Sequence, residues 1–288
     1  MARMWRPVWR SVLGSVARKY QNADPGVGGG SPSLTAQVQA LFAKYSAFGG
    51  MWDFTDMATL FQAAALTTPV TASGQPVWSV ADISGHGNHL TTSNASTRPQ
   101  FNGNGVTPDG VDDYFVTAAN LDLSACDKVV VAMGYTKVAD TTFRVQFELS
   151  ETLNGNAGTF FLASGNAPEY QAFATKSNTP VYGNRVSFTT ACPNEYGAHI
   201  GRRRLNATPV ADNLDVWWNG ALGTRRDDGT VGTGNFGSYP LYLFARAGTS
   251  AVSNTPARRA IVLAPVVASA QVSDDDVELI RLWLMEGA

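Results

Sequence analysis

The chain has 288 residues, of which 44% are hydrophobic and only 15% charged, with 28 glycines and 14 prolines. That balance describes a turn-rich globular chain, long enough for one large domain with an appendage. A formal net charge of -2 offers no overall field for nucleic acid or acidic lipid, and no apolar run approaches the roughly 18 residues that span a bilayer.

Residues 1–21 carry Arg3, Arg6, Arg10, Arg18 and Lys19 without an acidic residue, while Trp5, Val8, Trp9, Val12, Leu13, Val16 and Tyr20 recur three and four apart. This spacing predicts an amphipathic helix. A secretory signal fits poorly, because Gly14 and Ser15 interrupt the apolar run and no small-x-small cleavage site follows. A membrane-surface helix would use the same tryptophans and arginines, but the segment is short for it. The preferred reading is an anchoring arm that orders on another protein through Arg3, Trp5, Arg6, Trp9, Arg10, Leu13 and Arg18. The alternative is an arm packed back on its own domain.

Residues 22–33 are a Gly/Pro/Ser-rich linker. Over 34–50, Leu34, Val38, Leu41, Phe42 and Tyr45 form a helical stripe, with Ser33 as cap and Gly49-Gly50 as stop, suited to covering an end of the body or to an oligomer contact. The body, 51–288, reads as all-β: strands are predicted at 77–82, 89–93, 111–117, 128–138, 143–150, 158–164, 169–175, 185–190, 196–205, 213–226, 239–247 and 258–268. Gly, Asn and Pro between them suit an antiparallel two-sheet sandwich. Asn219-Gly220 predicts a tight hairpin with positive φ at both positions. A short C-terminal helix follows, capped by Ser273, with Asp274, Asp275 and Asp276 at its positive end and Val277, Ile280 and Leu284 as its apolar stripe.

One stretch is distinctive. Asp82-Ile83-Ser84-Gly85-His86-Gly87-Asn88-His89, then Arg98-Pro99, then Asp109-Gly110-Val111-Asp112-Asp113-Tyr114-Phe115, resembles the concanavalin A-like (laminin-G-like) jelly-roll virion proteins of tailed bacteriophages. Trp52 to Gln62, Leu121 to Lys137, Trp217-Trp218-Asn219-Gly220 and Tyr242 to Ser250 extend the resemblance over roughly 50–288. It implies an antiparallel jelly-roll sandwich with a helical N-terminal arm and a short C-terminal helix. It further implies a non-enzymatic structural protein on the virion surface, a fibre-like tail or collar appendage whose body meets host glycans. A capsid decoration or head-fibre protein is the first alternative, a carbohydrate-binding module the second and a glycan-degrading enzyme the third. The expected partners are other virion subunits and further copies of the chain, a trimer by analogy, with no nucleic acid and no membrane. Assembly in host cytoplasm would leave Cys126 and Cys192 as free buried thiols.

Candidate chemistry is sparse. His86 and His89 share a spacing that zinc could use, but they sit in a turn without further ligands of that kind, so turn bonding is preferred. Glucanases of sandwich architecture resemble one another in a Glu-x-Asp-x-x-Glu strand, and Glu148-Leu149-Ser150-Glu151 lacks its aspartate and spacing, which points away from glycoside hydrolysis. No cofactor is expected apart from calcium, for which Asp82, Asp112 and Asp113, with Asp109 beside them, are the candidate ligands; turn bonding is their other role. Trp218 with Arg202, Arg203 and Arg204 is the candidate glycan or subunit contact, since one of Trp217 and Trp218 must face outward. Arg225-Arg226 and Arg258-Arg259 are further basic clusters, suited to anionic glycans or an acidic subunit, or to a solvated face.

Overall fold

Val129-Val130-Val131-Ala132-Met133 and Ala260-Ile261-Val262-Leu263-Ala264 are apolar without alternation, and a strand apolar on both faces must be covered on both. The computed structural model describes residues 32–138, 143–152, 156–165, 171–175, 184–188, 191–206, 214–226, 234–247 and 253–288. It places those two runs side by side at the middle of three layers: two helices, a first sheet and a second sheet.

The described chain begins with α1 (Leu34–Lys44), β1 (Ala47–Asp53), β2 (Leu60–Phe61), β3 (Ser79–Val80), β4 (Leu90–Thr91), β5 (Gln100–Phe101), β6 (Val106–Thr107), β7 (Phe115–Thr117) and β8 (Leu121–Asp122). It continues with β9 (Lys128–Thr136), β10 (Arg144–Leu149), β11 (Phe160–Ser164), β12 (Gln171–Thr175), β13 (Asn184–Ser187) and β14 (Tyr196–Arg204). Last come β15 (Leu214–Trp218), β16 (Ala221–Leu222), β17 (Thr224–Arg226), β18 (Ser238–Tyr239), β19 (Leu241–Leu243), β20 (Ala257–Pro265) and α2 (Asp274–Met285).

The first sheet runs β16-β15-β14-β9-β20-β6-β5, with β1 pairing along β20 beyond β6. The second runs β17-β13-β12-β11-β10-β19-β7-β4-β3-β2, and β8 pairs with β18 apart from both. All of these ladders are antiparallel, and the fold is a β-sandwich of jelly-roll type. Alternation sorts the strands. Val129, Val131, Met133 and Tyr135 of β9 meet Phe115, Phe147, Phe160 and Phe173 between the sheets, whereas Val130 and Ala132 face the helices. Over that outer face lie Val38, Leu41 and Phe42 of α1 and Val277, Ile280, Trp283 and Leu284 of α2. Each such side chain contributes about 1.5–3 kcal/mol by leaving water.

Local chemistry sets the boundaries. The Ser33 hydroxyl accepts the Ala36 N–H at 3.2 Å, and the Ser273 hydroxyl accepts that of Asp276 at 3.3 Å, so both predicted caps are present. The first helix nevertheless ends at Lys44, short of the expected glycine stop: Ser46 turns the chain at φ +45°, and Gly49 and Gly50 lie inside β1. They are needed there because a Cβ on Gly49 would sit 1.9 Å from the Val262 carbonyl oxygen, and one on Gly50 2.3 Å from the Trp52 ring. Asn219 and Gly220 adopt φ +49° and +84°, closing the β15–β16 hairpin as expected. The strand expected over 213–226 breaks at this turn, and β17 then crosses to the second sheet. Arg3, Trp5, Arg6, Trp9, Arg10, Leu13 and Arg18 lie outside the described residues, as does most of the linker. Cys126 and Cys192 are both buried, and among the described residues no helix is long and apolar enough to cross a membrane.

Candidate functional site

The distinctive 82–89 segment has a structural task. β1 pairs with β20 on one side only, and a bare strand edge leaves N–H and C=O groups unsatisfied. The segment closes that edge. Asp82 accepts the Met51 N–H at 2.9 Å, the Ser84 N–H and O–H at 2.8 Å each and the Asn88 N–H at 2.9 Å. The Asn88 side chain donates to the Gly49 carbonyl at 2.7 Å, the Ile83 N–H to the Met51 carbonyl at 2.8 Å, and the Trp52 indole to the Asn88 carbonyl at 3.0 Å. His89 Nδ1 accepts the Asp82 N–H at 3.0 Å, and the His86 ring packs at 5.3 Å from Phe42. Turn bonding thus engages His89, and ring packing engages His86.

At the opposite edge of the same sheet the polar groups surround open space. A cleft of about 680 Å³ lies between the β15–β16 hairpin and the first turns of α2. Alternation along β15 sends Leu214, Val216 and Trp218 between the sheets and Asp215 and Trp217 outward, where Trp217 packs beside the helices and lines the cleft. The Arg202 guanidinium lies 5.0 Å from the Trp217 ring centroid, and it bonds Asp215 and the Asp274 of α2. Leu222, 52% exposed, forms an apolar lip. Asn219, Glu278 and Arg281 complete the wall, and the Asn219 side chain is held by accepting the Ala198 N–H at 2.8 Å and donating to Glu195 at 3.1 Å. An aromatic plane, an apolar lip and a rim of charged and amide groups in one concavity can hold a ligand that is apolar on its faces and polar at its edge.

This arrangement corrects part of the expected contact surface. Trp218 is 4% exposed, packed 5.5 Å from the Tyr135 ring and over Gly197, where a Cβ would come within 2.5 Å of the indole. It is a core residue, and Trp217 is the outward one. Arg203 is 1% exposed in the same layer, where burial pulls its guanidinium down to about 10, and His199, farther along the same strand, is held neutral, its pKa pushed down to about 3 by burial. Arg204 is exposed but does not line the cleft; Arg202 alone of the three does. The missed signal was parity: Trp218 alternates with Leu214 and Val216, Trp217 with Asp215.

Other charged candidates serve the fold. A bulge in β20 turns Arg258 and Arg259 to the end of α2, where Arg258 donates to the Gly287 carbonyl and Arg259 to the Trp283 carbonyl. Cations at a helix C-terminus complement its dipole. Arg259 also bonds Asp53 at 3.0 Å and Glu286 at 2.8 Å. The side chains of Arg225 and Arg226 lie outside the described residues. Asp276 is held ionised: burial pushes its pKa up, but hydrogen bonds from Lys44, Tyr45 and Ser273 outweigh it. Glu148 is buried between a Ser150 hydroxyl at 2.6 Å and the Arg246 guanidinium, while Glu151 is exposed.

Of the four aspartates considered for calcium, three come together and one does not. Asp112 and Asp113 lie with Asp109, their carboxylate oxygens within 4.8 Å, and Asp82 stands apart, committed to its turn. Burial, with Asp109 and Asp112 adding negative charge, pushes Asp113 up to about 6. Asp113 accepts the Asp109 N–H at 2.9 Å, and Asp109 accepts the Val111 N–H at 2.8 Å.

No protein-family model matches the sequence, and no curated protein matches it. Solved structures do resemble it. An arabinofuranosidase complexed with arabinofuranosyl-α-1,2-xylobiose aligns at 11% identity over 85% of this chain and 64% of its own, with a TM-score of 0.54. A GH54 α-L-arabinofuranosidase soaked with a cyclic sulfate inhibitor aligns at 12% identity over the same shares, with a TM-score of 0.51. The CBM40 of a Ruminococcus gnavus IT-sialidase aligns at 14% identity over 55% of this chain and 84% of its own, with a TM-score of 0.39. The chain thus spans 64% of the length of the arabinofuranosidases. At these identities the likeness establishes the sandwich fold. It also overturns the expectation of a non-enzymatic chain, which rested on the virion resemblance and on a missing strand motif: arabinofuranosidases share this architecture.

Proposed function

We propose that this chain is a carbohydrate-recognising β-sandwich whose site is the cleft between the β15–β16 hairpin and α2. The observation that carries the reading is Trp217, an outward-facing indole inside a concavity of about 680 Å³ rimmed by Asp275, Glu278 and Arg281. A sugar ring offers C–H groups on its faces and hydroxyls around its edge, so it fits an aromatic plane beside polar groups. Likeness in fold to arabinofuranosidases, one of them complexed with a neutral oligosaccharide, supports the same class of ligand.

A glycan array probed with the parent chain and with Trp217→Ala tests this. Binding to a defined glycan is expected, weakened at least tenfold, or about 1.4 kcal/mol, in the variant. An array without signal, or equal binding by both proteins, removes the cleft as the site. Released sugar, measured in the same samples, reads whether recognition is coupled to hydrolysis.

A finer reading places this recognition on a bacteriophage particle, with residues 1–21 gripping a tail, collar or capsid subunit. The resemblance of segments 82–89, 98–99 and 109–115 to virion jelly rolls supports it. Incorporation into particles by the full chain, and its loss on removing residues 1–32 with the body still folded, is the expected result; incorporation of the truncated chain would show that the body itself docks.

A further inference from the structure

The charges around the cleft narrow its ligand, an inference that rests on the glycan reading above. Its described walls hold two cations, Arg202 and Arg281, against four carboxylates, Asp215, Asp274, Asp275 and Glu278, leaving a formal charge of -2. Both guanidiniums are already engaged. Arg202 donates through Nε and Nη2 to Asp215 at 3.2 and 2.8 Å, and through Nη1 to Asp274 at 2.7 Å and the Val272 carbonyl at 2.9 Å. Arg281 donates through Nε and Nη2 to the two oxygens of Glu278, each at 2.7 Å. Asp275, exposed on the first turn of α2, has no hydrogen-bond or ion-pair partner among the described residues.

We infer that the cleft selects neutral oligosaccharides and discriminates against glycans carrying a carboxylate or sulfate. An incoming anion meets net negative charge and gains a guanidinium only by displacing Asp215, Asp274 or Glu278 from it. Such displacement leaves a carboxylate unpaired, which penalises the wrong ligand. A neutral sugar incurs no such cost. Its hydroxyl donates to the available Asp275 carboxylate, a charge-assisted bond, while its ring packs on Trp217 and Leu222.

The test titrates the full chain with matched pairs that differ only in an acidic sugar, lactose against α2,3-sialyllactose among them, beginning from whichever neutral or acidic glycans the array identifies. Each acidic member is expected to bind at least tenfold more weakly than its neutral counterpart. Neutral affinity should change less than about twofold between roughly 50 and 500 mM NaCl, because screening acts on charge pairs and the ligand has no charge. Asp275→Lys, checked for folding by circular dichroism, should narrow the gap by favouring the acidic member. Acidic glycans binding as tightly as neutral ones or tighter, with signal still lost in Trp217→Ala, would overturn the selectivity and leave the glycan site standing. If no member of any pair binds, the glycan reading itself fails and the selectivity falls with it.

Discussion

The two edges of the first sheet both carry polar side chains and differ in what those side chains have left to do. At the β1 edge, the Asp82 carboxylate takes four hydrogen bonds and Asn88 ties both backbone and side chain to its neighbours, so these groups are committed to the fold. At the β16 edge, Arg202 and Arg281 are paired, but Trp217, Leu222 and Asp275 border open space. Polar density alone therefore does not mark a site; unused capacity beside an apolar surface does. The segment most distinctive in sequence closes the fold, and the cleft is formed by a hairpin and a helix that sequence alone does not bring together.

Breaking the closed edge should have the largest effect. Asp82→Ala strands the Met51 and Asn88 N–H groups at a buried edge and is expected to cost about 3–4 kcal/mol, at about 1 kcal/mol or more for each lost bond, in urea unfolding. A loss below about 1 kcal/mol would show that water replaces the carboxylate and that the edge is not closed by it.

Asp113 is an intermediate case, a buried carboxylate with one backbone partner and negative neighbours. Its folded pKa, about 6, lies above the ordinary carboxyl value, so the protonated form favours the fold. That contribution is complete below the unfolded pKa and is lost as pH rises through about 6. Asp113→Asn should therefore flatten the pH dependence of stability between about 4 and 7 and make the variant more stable above that range, on the order of 1–3 kcal/mol. Parallel curves for parent and variant would rule out this carboxyl as the titrating group.

The smallest effect is expected at the open edge. A Cβ on Gly220 would find ordinary contact, 3.5 Å from the Arg281 side chain, so Gly220→Ala is opposed chiefly by its φ of +84°. A cost of about 1–2 kcal/mol in thermal unfolding is expected. A much larger loss would mean that the hairpin is more tightly packed on α2 than the cleft allows.

Much of the sandwich was readable because its rules are local. Ser33 and Ser273 cap helices whichever fold follows, Asn219-Gly220 closes a hairpin by its own backbone preference, and long strands such as β9, β14 and β20 carry enough apolar residues to stand out. The two-residue strands β2, β5, β6 and β8 have no such pattern, since their pairing comes from neighbours distant in sequence. Gly49 and Gly50 read as a helix stop because the close approach of Val262 to Gly49 is invisible in one dimension.

By itself, the sequence determined that this chain is an antiparallel β-sandwich, where its hairpin turns, and that Trp217 and Trp218 point to opposite faces. Only the tertiary structure decided which faces those were and what lay across from them. Burial of Leu214 and Val216 draws Trp218 inward with them, and the docking of α2 over the outer face sets Asp275 and Arg281 opposite Trp217. Periodicity is a property of neighbouring residues, whereas a cleft is a property of residues some sixty positions apart, brought together only because the apolar stripe of α2 has one sheet face on which to bury itself.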